Sequence, residues 1–136
     1  MAHRDDVVVT FGSGKKVMAQ VGNHLIATDQ PADNGGEDSA PAPYSLFLAA
    51  IGTCAGIYVL GFLQSRKLPT EGVRLKEELQ YNEETGVLAG VRLTVELPET
   101  IPEKYHAAIL RAVEGCAVKK AIQAQPQFAV QIQKTA

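Results

Sequence analysis

Pro41-Ala-Pro-Tyr-Ser-Leu-Phe-Leu-Ala-Ala-Ile-Gly-Thr-Cys54-Ala-Gly-Ile-Tyr-Val-Leu-Gly-Phe-Leu63 is the stretch on which the fold turns. Residues 44–63 carry no charge, and the pattern predicts one helix over 44–66. Pro41 and Pro43 suit its approach and first turn, where a missing N–H does little harm. Lys67-Leu-Pro69 stops it. At about 1.5 Å per residue the helix is roughly 35 Å long, comparable to the diameter of a small domain. Such a segment is also about long enough to span a bilayer, whereas a helix apolar all round can equally lie in a protein core. Strand-like halves on both sides, with Ser45, Gly52, Thr53, Gly56 and Gly61 inside the segment, favour the core. Gly52 and Gly56, one turn apart, leave a groove for another backbone.

Outward from the helix, residues 7–11, 16–21 and 24–28 are β-prone runs separated by Gly12-Ser-Gly14 and Gly22-Asn23. They predict a small antiparallel meander. Residues 29–43, rich in Asp, Gly, Ala and Pro, read as an irregular loop. Beyond the helix, residues 73–81 alternate, with Leu75 and Leu79 on one face and Lys76 and Glu78 on the other. Asn82-Glu-Glu-Thr-Gly86 turns the chain, and Val91, Leu93, Val95 and Leu97 share a face of the return strand. Pro102 opens a second helix and Glu114-Gly115 breaks it. A short helix over 116–123 and a closing strand over 127–133 complete the order βββ-α-ββ-αα-β. That order is α+β, with antiparallel strands around a long central buried helix, and lacks repeated βαβ units.

With 136 residues, 46% of them apolar and 21% charged, the chain reads as one folded domain over 1–136 with a real core. A net charge of −2 and no basic run beyond Lys15-Lys16 and Lys119-Lys120 argue against nucleic acid as a partner. The start of the chain lacks a signal-peptide apolar core, so the expected setting is the cytoplasm, with reduced thiols and no membrane. His3, His24 and His106 have no metal-ligand spacing, and no phosphate loop stands between a strand and a helix. Neither metal nor cofactor is expected. Asp29 and the acids of Gly35-Gly36-Glu37-Asp38 read as structural loop residues.

Cys54 and Cys116 are the two cysteines, 62 positions apart. They cannot form a structural zinc site from cysteine alone, which leaves two inert thiols or a redox couple. Cys54 shares a helix face with Phe47, Ala50, Ile51, Ile57 and Tyr58. In that apolar company its thiol is expected to be protonated and slow. Cys116 opens a helix, where unpaired N–H groups favour a thiolate. Lys119 and Arg111 are candidate positive neighbours.

The run from Pro41 to Cys54, ending Ala-x-Gly-x-Cys, resembles the helix motif of the OsmC/Ohr superfamily. Ala112-Val-Glu-Gly-Cys116-Ala-Val-Lys-Lys-Ala-Ile resembles that family's second cysteine segment. The intervening hairpin and the Asp29-Gln-Pro31…Gly35-Gly36 loop agree, so the likeness covers about residues 7–130. It implies an intertwined homodimer in which the apolar helix gains a partner subunit. It also implies a thiol peroxidase acting on organic hydroperoxides, with Cys54 peroxidatic, Cys116 resolving and an external dithiol as reductant. Phe47, Ile51 and Tyr58 would line the pocket beside Cys54.

Three positions depart from the family pattern. Tyr44 and Ser45 stand where active members carry a Glu. The Gly12-Ser-Gly-Lys-Lys16 turn stands where they carry an Arg, making Lys15 or Lys16 the candidate cation for the thiolate. Ala117 stands where Pro commonly follows the second cysteine. A second reading is a non-catalytic dimer of the same family that binds a small apolar ligand or senses redox state.

Overall fold

The computed structural model describes residues 5–135, which divide after Ile51 into two compact units. In the first unit, β1 (Val7–Phe11), β2 (Val17–Val21) and β3 (His24–Thr28) make an antiparallel sheet in that order. Gly22 makes the β2–β3 turn with φ 56°, a backbone geometry that suits a residue without Cβ. Val7, Val8, Val9, Phe11 and Leu25 are all exposed.

The 29–41 loop is organised by one carboxylate. Asp29 is 1% exposed, and its Oδ1 accepts from the Gln30 N–H at 2.8 Å. Its Oδ2 accepts from the Ser39 hydroxyl at 2.6 Å, the Ser39 N–H at 3.1 Å and the Glu37 N–H at 3.3 Å. A Cβ on Gly36 would fall 1.9 Å from the Gln30 carbonyl oxygen, so no other residue fits there. The loop delivers the chain to α1 (Pro43–Ser65), whose second turn begins with the Leu46 N–H donating to Ala42 O at 3.2 Å.

Pro43 stands first in that helix, as the first-turn rule expects. At the other end, Lys67 takes a left-handed φ of 55°. The Leu68 N–H then reaches Leu63 O at 2.9 Å and the Lys67 N–H reaches Gln64 O at 3.1 Å. That double bond pattern satisfies the last carbonyls without a glycine. With a mean hydropathy of 2.1, α1 is long and apolar enough to cross a membrane by length and composition. Its burial differs from the expectation of a helix covered all round. Ile51, Ala55, Val59 and Leu63 form one buried stripe, whereas Tyr44, Phe47, Ile57 and Tyr58 stay exposed. One chain supplies only enough surface to cover one side.

In the second unit, β4 (Arg74–Tyr81) and β5 (Leu88–Glu96) form a hairpin with Leu75 opposite Val95 and Leu79 opposite Val91. Asn82 Oδ1 accepts from the Glu84 and Thr85 N–H groups, and Gly86 at φ 73° completes the turn. The core is Val59, Leu63, Ile101 and Ile109, flanked by Phe62, Leu75, Val95 and Tyr105. Glu77 points inward with Leu75 and Leu79, and a Cβ on Gly52 would lie 2.7 Å from its Oε1. Its Oε2 is buried with no partner, and burial pushes the carboxyl up.

The second helix begins later than Pro102 suggests: a 3₁₀ turn, Glu103–Tyr105, precedes α2 (His106–Val113), and α3 (Ala117–Gln123) follows. The closing strand expected over 127–133 does not form. Phe128, Val130 and Ile132 are 91%, 96% and 98% exposed, so the alternating pattern is present but no strand among the described residues pairs with it. An extended segment without a ladder has nothing to hold it as a strand.

The Asp29 hydrogen bonds hold its pKa down at about 2, against an ordinary 3.8, with the Ser39 hydroxyl the largest cause. The unfolded chain therefore takes up this proton at higher pH than the folded one. The stabilisation is complete above 3.8 and is lost as pH falls through about 2. Asp29→Asn should be less stable than wild type at neutral pH, with the gap closing toward pH 2, read from urea midpoints across that range.

Candidate active site

Cys54 sits midway along α1, half-buried, and Cys116 is 1% exposed at the residue that caps α3. They meet because the link between α2 and α3 is short. The Gly115 N–H bonds Ala112 O at 3.2 Å and the Cys116 N–H bonds Val113 O at 3.1 Å, so α3 starts where α2 ends. Both thiols are free and their side chains are hydrogen-bonded to each other.

The electrostatics differ from the reading of helix position alone, in which Cys116 rather than Cys54 is the favoured thiolate. Burial pushes the Cys54 thiol up, but the Val118 N–H, the Cys116 thiol and the Ala117 N–H together outweigh it and hold Cys54 below the ordinary thiol value. The opening turn of α3 thus serves Cys54 rather than its own first residue. Cys116 is pushed up, first by burial and then by the hydrogen bond and charge of Cys54, despite the Lys119 and Val118 N–H groups. A thiol beside a thiolate serves best as the donor.

The remaining candidates lie as follows. Lys119 is half-buried and offers its backbone N–H to Cys116, while Arg111 is exposed in the last turn of α2. In the first unit, Lys16 is 3.0 Å from Glu37 in an ion pair, and Lys15 runs past Gly35. Phe47 stacks on Tyr44 with centroids 5.8 Å apart, and Ile51 is buried. Tyr58, one turn after Cys54, lays its ring against Gly115. Among the described residues no group of three or more His, Cys, Asp or Glu could hold a metal; His3 lies outside them.

Sequence reasoning missed the Ala117 and Val118 N–H groups as partners of Cys54. The only signal was the two-residue Glu114-Gly115 interruption, which brings a second helix start back beside α1.

The OsmC-like protein family matches residues 36–131, which include both cysteines, α1 and the hairpin. The chain belongs to that family. No curated protein matches it in sequence. Among solved structures, an osmotic stress induced and detoxification response protein from Psychrobacter arcticus superposes with TM-score 0.69 at 18% identity, covering 89% of this chain and 90% of that one. An OsmC-like protein from Mycoplasma pneumoniae gives 0.67 at 10% identity, covering 92% and 91%. An organic hydroperoxide resistance protein from Elizabethkingia anophelis gives 0.57 at 23% identity, covering 92% and 93%. At these identities the likeness establishes the OsmC-like fold.

The donors around each sulfur favour loss of the Cys54 proton before that of Cys116. Thiolate absorbance at 240 nm should show one ionisation per chain below the usual thiol range and a second above it. Cys116→Ala, which removes a donor to Cys54, should move the first ionisation upward; an unchanged curve would contradict the hydrogen bond.

Proposed function

We propose that this chain is a cytoplasmic, homodimeric thiol peroxidase of a single OsmC-like domain, reducing organic hydroperoxides in defence against oxidative stress. The observation that carries this reading is the hydrogen-bonded Cys54–Cys116 pair with Cys54 as the more acidic partner. The Cys54 thiolate attacks one peroxide oxygen, the O–O bond breaks, and the alkoxide leaves and takes a proton as the alcohol. Cys54 is then a sulfenic acid. The Cys116 sulfur attacks Cys54 Sγ, the S–O bond breaks and hydroxide leaves as water, which yields the disulfide. An external dithiol reduces that disulfide and is itself oxidised.

The Ala117 and Val118 N–H groups supply what the first step needs, a stabilised thiolate without a charged side chain. The similarity to an organic hydroperoxide resistance protein is in accord with this substrate class. Pairing of two copies is supported by the apolar surface one chain leaves uncovered: Tyr44, Phe47 and Ile57 of α1, Val7 to Val9 of β1, and Phe128, Val130 and Ile132. Large apolar side chains left exposed in this number give a partner subunit surface to cover. The same argument removes the need for a bilayer to cover α1.

A second reading has its own observation. A cavity of about 120 Å³ lies between α1 and the hairpin, lined by Gly56, Val59, Leu60, Leu63, Thr70, Val73 and Leu75. A small apolar ligand there would suit a non-catalytic carrier.

Treating the reduced protein with cumene hydroperoxide separates the two. The peroxidase loses two free thiols per chain, one equivalent of peroxide is consumed, and a dithiol restores both thiols. Cys54→Ser should lower the peroxide consumption rate by at least about a hundredfold, the scale on which removal of an activated nucleophile acts. Consumption by Cys54→Ser at the wild-type rate would overturn the role of Cys54, and a wild type that keeps both thiols in the presence of peroxide would leave the carrier reading.

A further inference from the structure

Tyr58 has a contact that its place on α1 does not require. A Cβ on Gly115 would come within 3.2 Å of Tyr58 Cε1 and 3.5 Å of Cδ1, closer than the roughly 3.5–4.0 Å at which carbon atoms rest. Gly115 has no left-handed φ to explain its lack of a side chain. The ring is the reason: its Cδ1–Cε1 edge takes the space a side chain would need at the residue immediately before Cys116. On its own helix Tyr58 follows Cys54 by four residues, so both side chains rise from one face, one turn apart. A rigid ring therefore stands between α1 and the α2–α3 link, one turn from Cys54 along α1 and beside the residue that precedes Cys116.

We propose that Tyr58 is a positioning residue for the thiol pair: its ring, seated on Gly115, sets the approach of Cys116 to Cys54 and so the ease of forming their disulfide. Forming it removes two electrons and two protons from the pair and draws the sulfurs from hydrogen-bond distance to a bond of about 2.05 Å. Small errors in how the two backbones are held then appear directly as a lower effective concentration of one thiol at the other. Tyr58 as a whole is 37% exposed, and the Cδ1–Cε1 edge of its ring, on Gly115, is the part that acts. The proposal rests on the redox reading of the pair but not on the peroxide.

The test is equilibration of the full-length protein in buffers of reduced and oxidised dithiothreitol, with the Cys54–Cys116 disulfide counted by thiol labelling and mass. Tyr58→Ala should lower the disulfide-forming constant about tenfold, or about 30 mV for a two-electron couple. Tyr58→Phe, which keeps the ring, should stay within about twofold. Gly115→Ala, which pushes the ring away, should shift the constant in the same direction as Tyr58→Ala. Urea midpoints identify any variant that is not folded, and Tyr58→Leu then replaces Tyr58→Ala.

A wild-type constant in folded Tyr58→Ala or Tyr58→Leu would overturn the proposal. So would a defect in Tyr58→Phe as large as in Tyr58→Ala, which would make the hydroxyl, not the ring, the active part. A wild type that forms no Cys54–Cys116 disulfide in these buffers overturns it as well. A wild type that forms the disulfide here yet leaves cumene hydroperoxide untouched sinks the peroxidase reading while Tyr58 keeps its role.

Discussion

The contact between Cys54 Sγ and the first turn of α3 is the constraint around which the second unit is organised. A thiol at the middle of an apolar helix is an unreactive group as long as only its own helix surrounds it, because burial disfavours the charge. Here the chain brings the Ala117 and Val118 N–H groups and the Cys116 thiol to that sulfur. They are donors that helix geometry leaves without an internal partner. One contact therefore satisfies the start of α3 and lowers the pKa of Cys54. Remove it and the Ala117 N–H loses its partner while Cys54 reverts to a half-buried, protonated side chain.

The scaffold serves that contact by fixing both ends of the path to it. Val59 and Leu63 of α1 pack with Ile101 and Ile109, which anchors α2 on the same helix that carries Cys54. Gly115 then lets the link pass close over Tyr58. In the first unit, Asp29 gathers the Gln30, Glu37 and Ser39 donors and so shapes the loop that leads into α1. This is a structural use of a carboxylate. It agrees with the reading of Asp29 as a loop acid, and it shows how much local order one buried charge can impose when both of its oxygens find donors.

Glu77 is the opposite case. It faces α1 from a strand whose other inward residues are leucines, with one oxygen unpartnered and Gly52 making room for the other. The alternation that placed Leu75 and Leu79 inward also placed Glu77 inward, so its direction was legible. Its isolation was not, because strand period reports which face a side chain takes and nothing about the partners waiting there.

The sequence by itself determined the elements and the family. The charge-free run after Pro43, the period-two hairpin around Asn82-Glu-Glu-Thr-Gly86 and the two cysteine segments each rest on local chain chemistry, and local chemistry is written in neighbouring residues. The closing strand failed the same reading because a strand needs a second strand, and alternation at Phe128, Val130 and Ile132 cannot provide one. Tertiary structure alone decided which cysteine is the acidic one. Helix-end logic favoured Cys116, yet the N–H groups of its turn reach Cys54 across the fold, and a pKa follows the donors that surround an atom in space rather than those beside it in the chain.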